Sequence, residues 1–196
     1  MLQYVFGYGS LISREARNQT SESQTVVSAR VRGFQRYWSA FPLYGWSPLA
    51  VKESAGASCN GVLIALTPQQ LEMFDEREGG YARQIVQHSE IELLEDLDLG
   101  SSLVWIYTPL HPLLPGEDSP ILQSYVDVTL TGCLEYGPAF AREFVKTTEQ
   151  WDSPWLDDRA RPTYVRSLQN VTRAAEIDSL LSELHAAPYA RRIPIK

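Results

Sequence analysis

The chain of 196 residues is poor in the side chains that several kinds of chemistry require. It has two cysteines, Cys59 and Cys133, too few for a disulfide framework. Its three histidines, His88, His111 and His185, do not fall at metal-ligand spacing from one another or from the cysteines. Neither cysteine sits in a motif with a histidine partner, so nothing points to a thiol nucleophile. Cations are also scarce: 17 lysines and arginines stand against 24 acidic residues, a formal charge of −7. Nucleic acids and anionic membranes reward clustered cations, so neither is expected as the main partner. Arg191, Arg192 and Lys196 make only a short basic tail. No apolar stretch approaches membrane-spanning length, and the N-terminus lacks a charged segment followed by a sustained apolar run. A reducing cytoplasm is the expected location. No internal repeat or low-complexity segment is present, and the oligomeric state is not legible.

What the chain does have is 44% hydrophobic residues, enough to bury a substantial core at this length. Residues 1–196 are expected to form a single domain, with 150–196 a C-terminal arm and helix. The most distinctive stretch is YVFGYGSL at residues 4–11. Val5 and Phe6 favour a buried strand, and Gly7 and Gly9 permit close backbone approach. A strand that breaks into Gly-Tyr-Gly-Ser presents successive backbone N–H groups in one concavity, where they can hold a carboxylate or carbonyl oxygen. Taken alone, Gly-x-Gly is an ordinary tight turn. The loop lacks the Lys-Ser/Thr of a phosphate cradle, and no dinucleotide fingerprint follows it.

A second motif, FDEREGGY, occupies residues 74–81. It follows a helix that Thr67 can cap, that Pro68 suits at its first turn, and whose Leu71 and Phe74 share one face. Gly79-Gly80 is a helix stop. Glu78 then sits at the C-terminal end, where the helix dipole disfavours a negative charge. With Asp75 and Glu76 nearby and only Arg77 to offset them, local electrostatics do not explain a glutamate there. The plainer reading is a solvated acidic turn.

Taken together, the two motifs resemble the gamma-glutamylcyclotransferase superfamily, which includes glutathione-degrading ChaC-type enzymes and AIG2-like proteins. VFGYGSLI from Val5 to Ile12 is similar to the ChaC-type opening. Arg77-Glu78-Gly79-Gly80-Tyr81 is similar to that branch's R-E-x-G-G-Y segment with one residue fewer. The likeness continues in order through VRGFQRYW at 31–38, GVLIAL at 61–66 and VWIYT at 104–108, roughly the first two thirds of the chain. The resemblance implies a small mixed β-barrel with helices packed outside and a pocket at the barrel mouth. It implies that Glu78 is the catalytic acid/base and that Val5, Phe6, Gly7, Tyr8, Gly9, Ser10 and Leu11 form the substrate cradle. Tyr81, Tyr107 and Tyr125 correspond by order to substrate-lining positions, although half-buried packing is the common fate of tyrosine.

In this superfamily the substrate's own alpha-amine attacks its gamma-carbonyl and leaves 5-oxoproline, so no cofactor or metal is called for. The implied partner is a small gamma-glutamyl compound: glutathione, a gamma-glutamyl amino acid or an amine. Leu11 stands where the classical branch has asparagine, which favours ChaC-like loop geometry, whereas the Tyr125 helix fits the other branch. Substrate class therefore stays open. The alternative is an AIG2-like binding protein that kept the pocket and lost turnover.

The rest of the chain predicts an α+β domain, strands first and helices after. Residues 13–24 read as a short helix or connector. Residues 25–41 read as a strand interrupted at Gly33, followed by an aromatic loop at 42–48. Strands are expected at 49–52, 59–66, 81–93 and 103–108, the third of these continuous, then a proline-rich crossover at 109–120. A helix from 121 is expected to end or break at 132–138, with further helices at 139–147 and 178–185 and an extended chain end. Residues 150–166, QWDSPWLDDRARPTYVR, are expected to clasp the surface by pairing Arg with Asp and burying Trp, rather than to touch substrate.

Overall fold

The computed structural model describes residues 2–22, 25–41 and 43–194. Lys196 of the expected tail, Pro42 of the aromatic loop, and Ser23 and Gln24 of the connector lie outside them. The chain opens with β1 (Gln3–Gly7), a 3-10 turn (Ser10–Ile12) and α1 (Arg14–Asn18), then the long pair β2 (Val26–Trp38) and β3 (Leu49–Leu66). Next come α2 (Pro68–Arg77), β4 (Tyr81–Ile85), a second 3-10 turn (His88–Glu90), β5 (Ile91–Leu93) and β6 (Val104–Pro109). The second half holds β7 (Ile121–Leu122), α3 (Gln123–Glu135), α4 (Pro138–Lys146) and β8 (Thr148–Glu149). The arm carries β9 (Trp155–Asp157) and leads to α5 (Ala174–Leu184), α6 (Ala186–Ala190) and β10 (Ile193–Pro194).

This is the expected α+β class, with one correction to its closure. The main sheet has seven strands in the order β4-β6-β1-β3-β2-β5, with β8 also paired to β2, and among the described residues β4 and β5 do not pair. Residues 81–93 start on one edge of the sheet and finish on the other. The continuous strand expected there is consequently two short strands separated by a 3-10 turn. The amide of Val86 bonds to the Val104 carbonyl at 2.9 Å and the His88 ring to the Ser102 carbonyl at 2.8 Å, so the crossing segment is tied to the chain entering β6. Chain connectivity, not a ladder, spans the seam.

Two further expectations change. The strands expected at 49–52 and 59–66 are one strand: β2 and β3 stay in register up to Arg32↔Ser58 and resume at Phe34↔Glu53, so residues 54–57 bulge out opposite Gly33. Gly33 has φ +82°, as the expected interruption requires. α3 ends at Glu135, inside the expected 132–138 stretch, and passes through Gly132 on the way. A Cβ on Gly132 would lie 2.5 Å from the Ser13 backbone nitrogen, so this glycine is there for close packing against the N-terminal loop and not as a stop. The chain end makes a short helix, α6, before it extends.

The core contains a cation with no anion in ion-pair contact among the described residues. Arg36 on β2 is fully buried, and burial lowers its proton affinity. Its guanidinium donates to the Asn60 carbonyl at 2.6 Å and side-chain oxygen at 3.0 Å, to Thr148 Oγ1 at 2.8 Å, and to the Phe144 carbonyl and Thr147 Oγ1 at 3.0 Å each. A longer bond of 3.3 Å reaches the Tyr8 carbonyl, and the Phe144 ring lies 3.6 Å from the guanidinium carbon. Phe144 belongs to the last turn of α4, whose dipole supplies partial negative charge.

The arm clasps as expected. Trp151 and Trp155 are both buried at 3% exposure and pack on each other, and Trp151 also meets Trp38 of β2. Arg159 forks onto Asp127 of α3 at 2.7 and 2.8 Å and onto Asp178 of α5 at 2.7 and 3.0 Å. Asp158 accepts from the amide and hydroxyl of Ser124 at 2.7 and 2.6 Å, supplying in trans the N-terminal cap that Leu122 cannot give α3. Among the described residues no helix is long and apolar enough to cross a membrane.

Arg36→Leu should leave the carbonyls of Asn60, Phe144 and Tyr8 buried without this donor. Each such loss costs about 1–3 kcal/mol, so chemical denaturation should register a destabilisation of about 3 kcal/mol or more. A loss under about 1 kcal/mol would mean that water or a rearranged neighbour replaces the guanidinium.

Candidate active site

The two sequence motifs meet because a strand and a helix of equal reach run side by side. β1 lies mid-sheet, antiparallel to β3 and parallel to β6. Leu66, the last residue of β3, pairs with Gln3, the first of β1, so α2 starts at the foot of β1. A five-residue strand spans about 16 Å, and a ten-residue helix rises about 15 Å. The helix therefore ends level with the loop that follows Gly7. Its start is fixed by Pro68 and by a capping box between Thr67 and Gln70. Its stop is fixed by Gly80, at φ +97°, where a Cβ would lie 2.1 Å from the Phe41 ring.

Glu78 is the C-cap of α2, and its side chain is 19% exposed. Burial raises its proton affinity above the ordinary glutamate value; the charges of Arg77 and Arg166 and a hydrogen bond from Arg77 oppose that rise. Arg77 Nε lies 3.2 Å from Glu78 Oε1. The same guanidinium donates to the Ala16 carbonyl at 3.0 Å, Thr20 Oγ1 at 2.7 Å and Ser10 Oγ at 3.2 Å. One buried arginine thus joins α1, the glycine loop and the carboxylate.

The loop turns its carbonyls inward and leaves its amides. Arg36 donates to the Tyr8 carbonyl, the amides of Ile12 and Ser13 to those of Gly9 and Ser10, and the buried Arg17 to those of Leu11 and Ile12 at 2.8 and 3.1 Å. Among the described residues the amides of Gly9 and Leu11 have no backbone acceptor, and that of Ser10 has only a long contact, 3.4 Å, to the Tyr125 hydroxyl. What this stretch offers a ligand is donors.

A cavity of about 320 Å³ opens beside it. Of the residues expected in the site, Phe6, Tyr8, Gly9, Ser10, Leu11, Glu78, Tyr81, Tyr107 and Tyr125 line this one space. Val5 and Gly7 are not on its wall. Val5 is fully buried, and Gly7 backs the loop, where a Cβ would meet that of Leu11 at 2.7 Å. Burial raises the proton affinity of Tyr8, Tyr81, Tyr107 and Tyr125, so all four hydroxyls keep their protons at neutral pH. They differ in freedom. Tyr107 donates to Asp75 at 2.7 Å and Tyr8 to the Tyr107 carbonyl at 2.7 Å, whereas Tyr81 makes only a long bond, 3.4 Å, to the Leu49 carbonyl. The thiols of Cys59 and Cys133 are free but buried elsewhere, and burial pushes the Cys59 thiol up to about 11.

Part of the wall was not expected. Tyr164, Val165 and Arg166 of the arm line the cavity, and the Tyr164 hydroxyl donates to Ser10 Oγ at 3.0 Å. The arm is thus both clasp and wall. Tyr44 and Trp46 of the aromatic loop also face the cavity, with Trp46 stacked against Tyr44 and packed against Tyr125 and Tyr164 at centroid distances of 5.2 and 5.4 Å. The available signal was compositional: aromatic clustering at 44–46 and an arm too rich in Trp, Arg and Asp to be a linker.

The family described as gamma-glutamyl cyclotransferase, AIG2-like, matches residues 5–125, and the chain belongs to it. No curated protein sequence matches significantly. Among solved structures, one named gamma-glutamyl cyclotransferase superposes with a TM-score of 0.57 at 16% identity, covering 75% of this chain and 88% of that one. An uncharacterized protein from Homo sapiens gives 0.56 at 17%, covering 74% and 88%. YkqA from Bacillus subtilis gives 0.55 at 20%, covering 74% and 53%. These likenesses support the fold. The matched region stops at Tyr125, so the arm that completes the cavity lies beyond it.

Glu78 yields a stability prediction. Because its proton affinity is higher folded than unfolded, the folded protein binds this proton more tightly, and stability falls as pH rises from the ordinary glutamate value through the raised one. Above that window the full penalty is present. Glu78→Gln should therefore be at least as stable as the parent at neutral pH, and the difference should shrink in acid below the ordinary glutamate range. Melting curves across pH check this; a variant clearly less stable at neutral pH would mean that the Arg77 ion pair outweighs burial.

Proposed function

We propose that the protein is a gamma-glutamylcyclotransferase that releases 5-oxoproline from a gamma-glutamyl compound, with Glu78 as acid and base. The observation that carries this reading is a carboxyl of raised proton affinity on the wall of the same cavity as three consecutive loop residues whose amides lack backbone acceptors. The Gly9 to Leu11 amides would hold the glutamyl end. Glu78 would take a proton from the alpha-ammonium, and the freed amine would attack the gamma-carbonyl carbon. A five-membered lactam forms as the bond to the leaving nitrogen breaks; Glu78 passes its proton to that nitrogen and relays the second proton shed by the attacking nitrogen to it as well, so the amine departs as an ammonium. Atoms and charge balance without water or a second substrate. Holding amine and carbonyl in contact supplies much of the acceleration, because the step is already intramolecular.

Ser10 is an orienting group in this scheme, since its hydroxyl is held by Arg77 and Tyr164. Tyr81 is the hydroxyl freest to turn toward the carbonyl oxygen as charge develops there. The buried free thiols support a reducing cytoplasm as the location. A second reading, an AIG2-like binding protein without turnover, is favoured by one observation: Arg77 already pairs with Glu78 and stabilises it as an anion.

Two variants test the proposal. General acid–base catalysis contributes about 10²- to 10⁴-fold, so Glu78→Gln should lose at least that much 5-oxoproline release while ligand affinity changes far less. Near-normal turnover would remove Glu78 from the mechanism, and a wild-type protein that binds gamma-glutamyl compounds but turns none over would favour the binding protein. Gly9→Val places a Cβ 2.8 Å from the Tyr125 hydroxyl and adds branches in the cradle. Calorimetry on the folded variant should find gamma-glutamyl affinity abolished; undiminished affinity would reduce the loop to a turn.

A further inference from the structure

Resting on the cyclotransferase reading above, we propose that Arg166 reads a carboxylate on the leaving-group side of the substrate, so that the protein prefers gamma-glutamyl amino acids to uncharged gamma-glutamyl amides and amines. Arg166 lines the cavity and, among the described residues, makes no hydrogen bond and no ion pair within 4.0 Å. The other arginines of this region have structural duties. Arg77 is shared among α1, Ser10 and Glu78, and Arg159 is held between Asp127 and Asp178. Glu78 does not need Arg166 as an ion-pair partner, because Arg77 is already in contact with it.

Position decides which carboxylate Arg166 serves. The cavity has an enclosed end, where Ser10, Leu11 and Tyr125 are 8%, 7% and 5% exposed. Its mouth is marked by Tyr44 at 42% and by Val165, next to Arg166, at 83%. The glutamyl end must fold back on itself beside Glu78 and the loop amides, so it takes the enclosed end. The departing amine must leave through the mouth, where half-buried Arg166 stands. An amino-acid leaving group carries a carboxylate one carbon from the scissile nitrogen, and a guanidinium offers it a paired set of donors. The seat is firm: the neighbouring Tyr164 donates its hydroxyl to Ser10 and its amide to Ser124 Oγ at 3.3 Å, and Asp158 holds the Thr163 amide at 2.8 Å.

The test compares gamma-glutamyl-alanine with gamma-glutamyl-alaninamide, which differ only in that carboxylate, by 5-oxoproline release. A hydrogen-bonded charge at a half-buried site corresponds to about 10- to 100-fold. Wild type should prefer the carboxylate by that factor in kcat/KM. Arg166→Gln should erase the preference by raising KM for gamma-glutamyl-alanine, any change in kcat transmitted through Glu78 being shared by both substrates, and Arg166→Lys should restore part of the preference. Melting temperatures should change little, since no protein group loses a hydrogen bond. An equal loss on both substrates would assign Arg166 to the glutamyl end, and no loss would leave it without a role; either result overturns the inference while the cyclotransferase reading stands. Absence of 5-oxoproline from both substrates with wild type would overturn that reading and this inference with it.

Discussion

The architecture depends on one buried guanidinium. Arg36 has to be desolvated completely, and among the described residues no carboxylate is in ion-pair contact with it, so the surrounding chain is arranged to deliver oxygen atoms to a single plane. Those oxygens come from the middle of β3, the last turn of α4, the threonines that follow it, and the residue after β1. A lysine could not reach so many, because its three donors radiate from one point while the guanidinium's five lie in a fork. The consequence reaches the cavity. Fixing the Tyr8 carbonyl inward fixes the direction in which the next peptides turn, and with Arg17 holding the Leu11 and Ile12 carbonyls the loop keeps only donors for a ligand.

A second arrangement, independent of the first, sets the carboxylate. α2 is bounded at both ends by local chemistry, the Thr67–Gln70 box and the Gly80 stop, so its length is not negotiable. Glu78 sits at its end in spite of the dipole, in spite of burial and with Arg77 beside it. With the compensation incomplete its proton affinity stays raised, which is what the proposed proton-transfer role requires.

The sequence makes these two motifs legible because each is local. Gly-x-Gly-Ser after an apolar strand, and a capped helix stopped by Gly-Gly, are decided within a few residues, and so are the bulge at Gly33 and the class of fold. What it hides is long-range. Whether residues 81–93 stay straight depends on which sheet edges they must reach. Gly132 reads as part of the helix-breaking stretch 132–138 until Ser13 is seen against it. Arg36 stands among ordinary strand residues, and nothing near it announces that it is buried. The arm was legible as a clasp because pairing and Trp burial are compositional properties. Its second duty as a wall follows only from where the clasp brings Tyr164.

That contact has a kinetic meaning. The Tyr164 hydroxyl and Ser10 lie 154 residues apart in the chain, so closing this last face of the cavity is among the longest-range events in folding. Long-range contacts are won only after shorter loops have closed, since chain entropy must be overcome before they return anything. The glycine loop and the carboxylate are separated by two helices and one β-hairpin and can come together early. The wall cannot, and during synthesis its residues emerge well after both motifs. Cavity and fold thus mature on different clocks, and a chain cut within the arm would retain the two motifs while leaving the cavity open on one side.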